Sequence, residues 1–441
     1  MITLFEHFNT PARKLYSSLK IANMNLSTFV IEDDGFLPDE IITPYKLFSK
    51  YAPKKTDKPL YFNRVKIPKY WEIEGSNEQA TINDNGKIRA NIKYKKNYLS
   101  RIVQQVEWLN ENGIIRSIDH YTKHGILFAR TVNSEQGNPI FKTFFNQQNE
   151  IIIYENYITK SIMLYLDNRE YIFNDKNEFT AFSLERLDFD TTDVVFNSLA
   201  TPLLALINRK QSIKGYLFWQ ERIHQELPGN MQYILESDAL ESIKVIVPDE
   251  EEYNKIIALA ANNVKSKIKR AGYLYRYHRK NTFSKNVLTV TNSDQLPHIE
   301  KIIQSSPSYT FNIIAITEMS SKLMDLGKYK NVRLFPSVDL KVARKIYENT
   351  DIYLDINQGN EILNAVRSAF DYDLLIMGYK ETAHNPTFTG NELLISQSNP
   401  EELIRLLNLT KRDKEILLRQ QKLQANEIEK EEFRAVFDKN S

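Results

Sequence analysis

Four turn centres in this chain, Gly113, Gly125, Gly137 and Asn149, stand 12 residues apart. Each belongs to a turn-forming pair: Asn112-Gly113, His124-Gly125, Gln136-Gly137 and Gln148-Asn149, with Asn85-Gly86 further upstream. Glycine and asparagine enter the left-handed backbone region at little steric cost, so such pairs close hairpins. Between them run alternating β-branched and aromatic segments, such as Ile114-Ile-Arg-Ser-Ile-Asp-His-Tyr121 and Ile126-Leu-Phe-Ala-Arg-Thr-Val132. Even spacing and period-2 alternation predict an extended antiparallel meander over 59–185. Alternation leaves one face to be buried and the other free. A free face and open edges can receive another chain, or the sheet can simply pack on its neighbours.

On either side the pattern changes. Residues 1–58 and 186–275 read as a first α/β lobe, with strands at 2–5, 29–31, 215–219 and 243–247. From 276 to 410 strands at 287–291, 310–316, 331–334, 351–354, 373–377 and 391–395 alternate with helices near 294–304, 318–325, 339–349, 360–370 and 399–408. A βαβ series implies a parallel sheet. The charged tail 411–441 reads as a helix that crosses back to the first lobe. The fold class is therefore α/β: two Rossmann-type lobes, with the meander inserted in the N-terminal one.

Composition narrows function. Lys plus Arg number 58 against 56 Asp plus Glu, a net charge of +2, so nothing global argues for nucleic acid. There is no cysteine, which removes disulfides and thiolate chemistry and suits a cytoplasmic protein. The start lacks the basic and apolar regions of a signal peptide, and no apolar run reaches membrane-spanning length. Neither GxxxxGK[ST] nor GxGxxG occurs. No cofactor is implied.

In an open parallel sheet, ligands bind at the carboxyl ends of strands. The corner in question is Asp351-Ile-Tyr-Leu-Asp355, then Ile356-Asn-Gln-Gly-Asn-Glu361, then a helix to Phe370. This layout resembles the sugar-nucleotide site of two-domain (GT-B) retaining glycosyltransferases. Those enzymes carry a Glu, seven residues, and a second Glu followed by Ala. Here the Ala is Ala365, the second Glu position holds Asn364, and eight residues earlier stands Ile356; Glu361 is near but at the wrong offset. They also hold the donor diphosphate with an Arg and a Lys after the first strand of the C-terminal half. Here Asn292-Ser-Asp-Gln-Leu-Pro-His298 follows that strand, with no Arg or Lys. Two phosphates in a partly dry cleft need cations. The donor site reads as degenerate.

Other clusters have bland alternatives. Lys265 to Lys280 holds seven basic residues and no acid, interleaved with Tyr273, Tyr275 and Tyr277. It reads as a linker between lobes, with attraction to an anionic membrane surface next and nucleic acid after that. His120 and His124 have helical zinc spacing but fall in the meander, with no third ligand. Glu221, His224 and Glu226 follow a buried strand, where His224 is a candidate ligand contact or a partner for a backbone carbonyl. The acids Glu32-Asp33-Asp34 after the second strand read as turn caps more readily than as a metal or ribose contact.

Five segments carry a closer resemblance: Phe29-Val-Ile-Glu-Asp-Asp-Gly-Phe-Leu-Pro38, Lys58-Pro-Leu-Tyr-Phe-Asn63, Val106-Glu-Trp-Leu109, Asp119-His-Tyr121 and Leu227-Pro-Gly-Asn-Met231. In residues and order they are similar to the stabilising subunits, Gtf-B, of the accessory Sec system O-GlcNAc transferases of Gram-positive bacteria. The resemblance implies a GT-B shape without sugar transfer. It implies a hetero-oligomer with a catalytic sister subunit that binds UDP-N-acetylglucosamine. It further implies a serine-rich repeat adhesin as the polypeptide held for O-glycosylation before export. Peripheral contact with the cytoplasmic membrane face is compatible with this. On the meander, the polar and aromatic residues Arg116, His120, Tyr121 and Arg130 are the expected acceptor contacts. The rival expectation is an active transferase with an atypical donor site built around Glu361.

Overall fold

The computed structural model describes residues 1–24, 26–76, 78–96, 101–209, 213–237, 240 and 242–437. These form two compact units, one of residues 1–271 with Val436 and Phe437, the other of 272–435.

The first unit contains a six-stranded parallel sheet in the order Ile268–Arg270, Ile243–Val247, Lys214–Phe218, Asp193–Phe196, Ile2–Phe5, Ser27–Val30. Its central strands are mostly apolar and buried, as befits a sheet covered on both faces. Between Ser27–Val30 and Asp193–Phe196 the chain leaves to build the meander. This is a ten-stranded antiparallel sheet running in strict chain order from Glu72–Gly75 to Arg169–Phe173.

The meander repeats one turn four times. Gly113 N–H donates to Asn110 O, Gly125 to Thr122 O, Gly137 to Ser134 O and Asn149 to Asn146 O, at 2.8–3.1 Å. Gly113, Gly125, Gly137 and Asn149 all have positive φ. The side chain of each first residue closes its own turn, accepting from the backbone at Ile114, Ile126, Asn138 and Glu150. Just beyond each turn the register slips by one residue. Arg116, Phe128, Ile140 and Ile152 are the extra residues, again 12 apart. A β-bulge raises the local right-handed twist.

Opposite ends of the meander are covered on opposite faces. Cross-strand partners share a face. The row Ala80–Ile92–Val106–Asp119–Arg130–Thr143–Tyr154–Met163–Ile172 starts under a lid made by Leu60, Phe62, Val65, Ile67 and Trp71. It ends in the open, with Ile172 68% exposed. The opposite row, containing Ala129, Phe144, Ile153 and Leu164, is covered by Tyr45, Phe48, Phe179 and Phe182 from helices Pro44–Ser49 and Lys176–Glu185. Lys176 ties this helix to both sheets, with its Nζ bonded to Glu32 and 2.8 Å from Glu155. Burial works against its charge, yet the two carboxylates hold its pKa above the ordinary lysine value. Lys176→Met should cost about 2–3 kcal/mol in urea unfolding, because it strands the buried Glu155 and the partly buried Glu32. An unchanged midpoint would show that the cluster is merely surface charge.

The second unit holds a parallel sheet in the order Val332–Phe335, Thr310–Ile314, Asn286–Val290, Ile352–Asp355, Leu375–Tyr379, Leu394–Ile395. In chain order this is 3-2-1-4-5-6, with its reversal between Asn286–Val290 and Ile352–Asp355. Two helices start later than the sequence suggests. The one expected near 294 begins at Ile299, because Pro297 disfavours the helical region for Leu296 before it and His298 is left-handed. The one expected near 360 begins at Ala365, after Leu363 and Asn364 at positive φ.

Candidate functional site: the switch point of the second unit

A parallel sheet offers a ligand crevice where its strand order reverses. Here that crevice is bounded by the segment after Asn286–Val290 and the segment after Ile352–Asp355. The two are joined to each other. Thr291 Oγ1 donates to Asn357 Oδ1 at 2.9 Å, and Asn357 Nδ2 donates to Asn292 Oδ1 at 3.1 Å. Gln358 N–H donates to Gln295 O at 3.1 Å. A Cβ on Gly359 would stand 2.1 Å from Asn292 Oδ1, so the two segments pack at glycine distance. Where an incoming diphosphate would call for cations, amides satisfy one another.

Glu361 is also engaged. Its Oε1 accepts from Val366 N–H at 3.1 Å, at the start of helix Ala365–Asp371, which has no side-chain cap from Asn364. Ile356 is fully buried in the core of the unit.

A third segment folds over the strand end. His384 Nδ1 lies 2.5 Å from Asp355 Oδ1, its backbone N–H donates to Asp355 Oδ2 at 2.8 Å, and its Nε2 lies 2.7 Å from Gly359 O. Thr382 Oγ1 donates to Asp355 O at 3.1 Å. An imidazole that meets a carboxylate on one nitrogen and a carbonyl on the other must donate from both, so it is an imidazolium. The Asp355 hydrogen bond leads in pushing its pKa up to about 9; burial opposes it, and the Gly359 carbonyl adds to it. His384 was not among the residues singled out from sequence. It is 29 residues from Asp355 and belongs to no motif.

Comparison with known proteins settles the lineage. Four family models match in order: the GtfB N-terminal domain over residues 2–48, the GtfB middle domain over 71–174, the GtfB third domain over 176–259, and the GftB/GlyA-F C-terminal domain over 287–424. The chain is 38% identical to the UDP-N-acetylglucosamine–peptide N-acetylglucosaminyltransferase stabilizing protein GtfB of Streptococcus gordonii, covering 92% of this chain and 91% of that one. It is 35% identical to the GtfB of Streptococcus agalactiae, covering 99% of each. The chain belongs to the GtfB family. A solved GtfA/B complex bound to UDP and GlcNAc contains a chain matching it with a TM-score of 0.91 and 36% identity, covering 99% of both. The accessory secretory protein 1, 2 and 3 structure of Streptococcus pneumoniae shares the fold alone, with a TM-score of 0.61 and 10% identity over 96% of this chain and 90% of that one.

In this GtfB-family chain the residues expected to contact an acceptor do not form one surface. Arg130 is exposed and clamps the buried Asp119, its Nε 2.5 Å from Oδ1, while Trp108 Nε1 donates to Oδ2 at 2.9 Å. Tyr121 packs with the lid cluster, and burial pushes its phenol up to about 12. His120 lies in the opposite row, between Gln105 at 3.2 Å and Thr131 at 2.9 Å. Burial first, then Lys142, drives its pKa down to about 3, so it stays a neutral framework residue. Arg116 occupies a bulge. His224, Glu221 and Glu226 are exposed in the loop after Lys214–Phe218. The polar group that organises that loop is the buried Glu252, accepting from Ile223 N–H at 2.5 Å and Trp219 Nε1 at 3.3 Å.

Three of the seven basic residues of 265–280 are engaged within their own units. Lys267 reaches Leu235 O at 2.7 Å, Arg270 pairs with Glu250 at 3.0 Å, and Arg279 binds Asp351. Tyr273 and Tyr275 are buried, and the Tyr277 hydroxyl donates to Glu427 at 2.9 Å, so these rings are not free to stack on bases. Asp33 and Asp34 cap the turn at Gly35 and Phe36. No helix of the described residues is long and apolar enough to cross a membrane.

Proposed function

We propose that this chain is a non-catalytic subunit with paired GT-B-type lobes. It stabilises a sister UDP-N-acetylglucosamine:polypeptide transferase and holds a Ser/Thr-rich adhesin chain for O-glycosylation, in the cytoplasm before export. Family membership supports the stabilising role. The observation that carries the non-catalytic part is the switch point: Thr291, Asn292 and Asn357 bond to one another, and Glu361 is turned to a helix start. A donor nucleotide would have to break these bonds and would meet no arginine or lysine in the 292–298 segment. An unfolded Ser/Thr-rich chain has little apolar area to bury, so affinity per site is modest and repeats add avidity. On the meander, Arg130 is the expected acceptor contact that stands exposed.

Calorimetric titration of the single chain tests this directly. A serine-rich repeat polypeptide should bind, and UDP-N-acetylglucosamine should give no heat. Nucleotide-sugar binding would return the active-transferase reading to first place.

A further inference from the structure

A groove opens at one end of the meander, between two hairpin tips. It is lined by Phe48 to Lys50, Asn146 to Gln148, Glu150 to Ile152 and Tyr165 to Glu170. Its volume is about 760 Å³, within the roughly 300–1,000 Å³ of ordinary ligand sites. It exists because two neighbouring strands part company. Pairing between Ile151–Asn156 and Ile162–Leu166 ends at Ile153 and Leu164, while Ile152 is taken up by a bulge. Ile151–Ile152 and Tyr165–Leu166 therefore diverge and flank the opening.

The chemistry of the walls selects a ligand class. Lys50 and Arg169 share the walls with Glu150, Asp167 and Glu170, two cations against three carboxylates, so the walls select neither an anion nor a strongly cationic ligand. The remaining polar side chains are four amides and the hydroxyls of Ser49 and Tyr165, and Ser49 Oγ already accepts from Tyr51 N–H at 3.1 Å. Asn146 is consumed by its own turn and Gln147 by Ala52 O. The side chains of Gln148 and Asn168 make no hydrogen bond among the described residues. A side-chain amide carries a donor and an acceptor side by side, the complement of a peptide group. An extended chain laid where two strands diverge can also continue their backbone pairing.

We infer that this groove binds an extended, uncharged, polar polypeptide segment through its main chain, with Gln148 and Asn168 as the recognising amides. This deepens the acceptor-holding reading above and rests on it, but assigns the contact to the hairpin tips rather than to the middle of the sheet.

The test uses the full chain and a fluorescent, uncharged Ser/Thr-rich peptide of about 20 residues. The Gln148→Ala/Asn168→Gly double variant, with glycine chosen because Asn168 has φ +60°, should bind it about tenfold more weakly with an unchanged melting temperature. A photo-crosslinker placed at Gln148 should capture the peptide. Wild-type affinity in the double variant, without crosslinking, would overturn this site while leaving acceptor binding intact. Failure of the wild-type chain to bind any peptide would overturn both. Displacement of the peptide by a soluble N-acetylglucosamine oligomer, with the same loss in the double variant, would replace the polypeptide by a glycan and overturn the inference.

Discussion

Replacing Asp351 by alanine is expected to destabilise the second unit by about 3–5 kcal/mol, because it leaves a guanidinium and several donors without an acceptor. The carboxylate is 1% exposed. It binds Arg279 and accepts from Thr282 N–H at 3.1 Å, Thr282 Oγ1 at 2.7 Å and Ser284 N–H at 2.7 Å. These groups fasten the entry segment to the start of strand Ile352–Asp355. Burial alone would raise the Asp351 pKa, but the bonds from Thr282, Ser284 and Arg279 win and hold it below the ordinary 3.8. Its contribution is thus present above pH 3.8 and lost as pH falls through the lower, folded-state value. Urea unfolding at neutral pH should show the full loss, and the gap between wild type and variant should close in strong acid. Identical midpoints at pH 7 would refute the assignment.

His384 should fail at the other end of the pH scale. His384→Ala is expected to cost the same unit about 2 kcal/mol at pH 6, a figure reduced for partial exposure from what a shift to about 9 would give. Its folded pKa is raised, so the stabilisation is complete below the ordinary 6.5 and disappears as pH rises through 9. Wild-type stability should therefore decline between pH 7 and 10 more steeply than that of the variant, and the two curves should converge. Hydrogen exchange around 356–364 should rise in the variant at pH 7. Parallel curves across that range would mean that the ring is neutral and the Asp355 contact uncharged.

These two residues mark the limit of what could be read from the sequence. The meander was legible because each of its turns is written locally, in pairs such as Asn112-Gly113 that need no distant partner. Parallel sheets were legible from apolar runs alternating with helical stretches. Bulges at Arg116, Phe128, Ile140 and Ile152 were not, since a slipped register is a relation between two strands. The strand–turn–helix order of 351–370 was legible, and Glu361 was noticed. That Glu361 serves a helix start depends on the left-handed Leu363 and Asn364, which no propensity demands of those residues. His120 and Arg130 look alike on paper as polar residues of adjacent strands. Alternation sends them to opposite faces, one to the interior and the other to solvent.

A sheet assembled from one turn copied every 12 residues is a ruler with equal gradations. Two copies, 24 residues, return the chain to the same end and the same face. Insertion or deletion of such a pair would change the span by two strand spacings, about 10 Å, and turn the far end by about 40–50°, while each remaining side chain keeps its own face of the sheet. Reach across the meander is in this sense adjustable in whole hairpins without redesign of either parallel sheet.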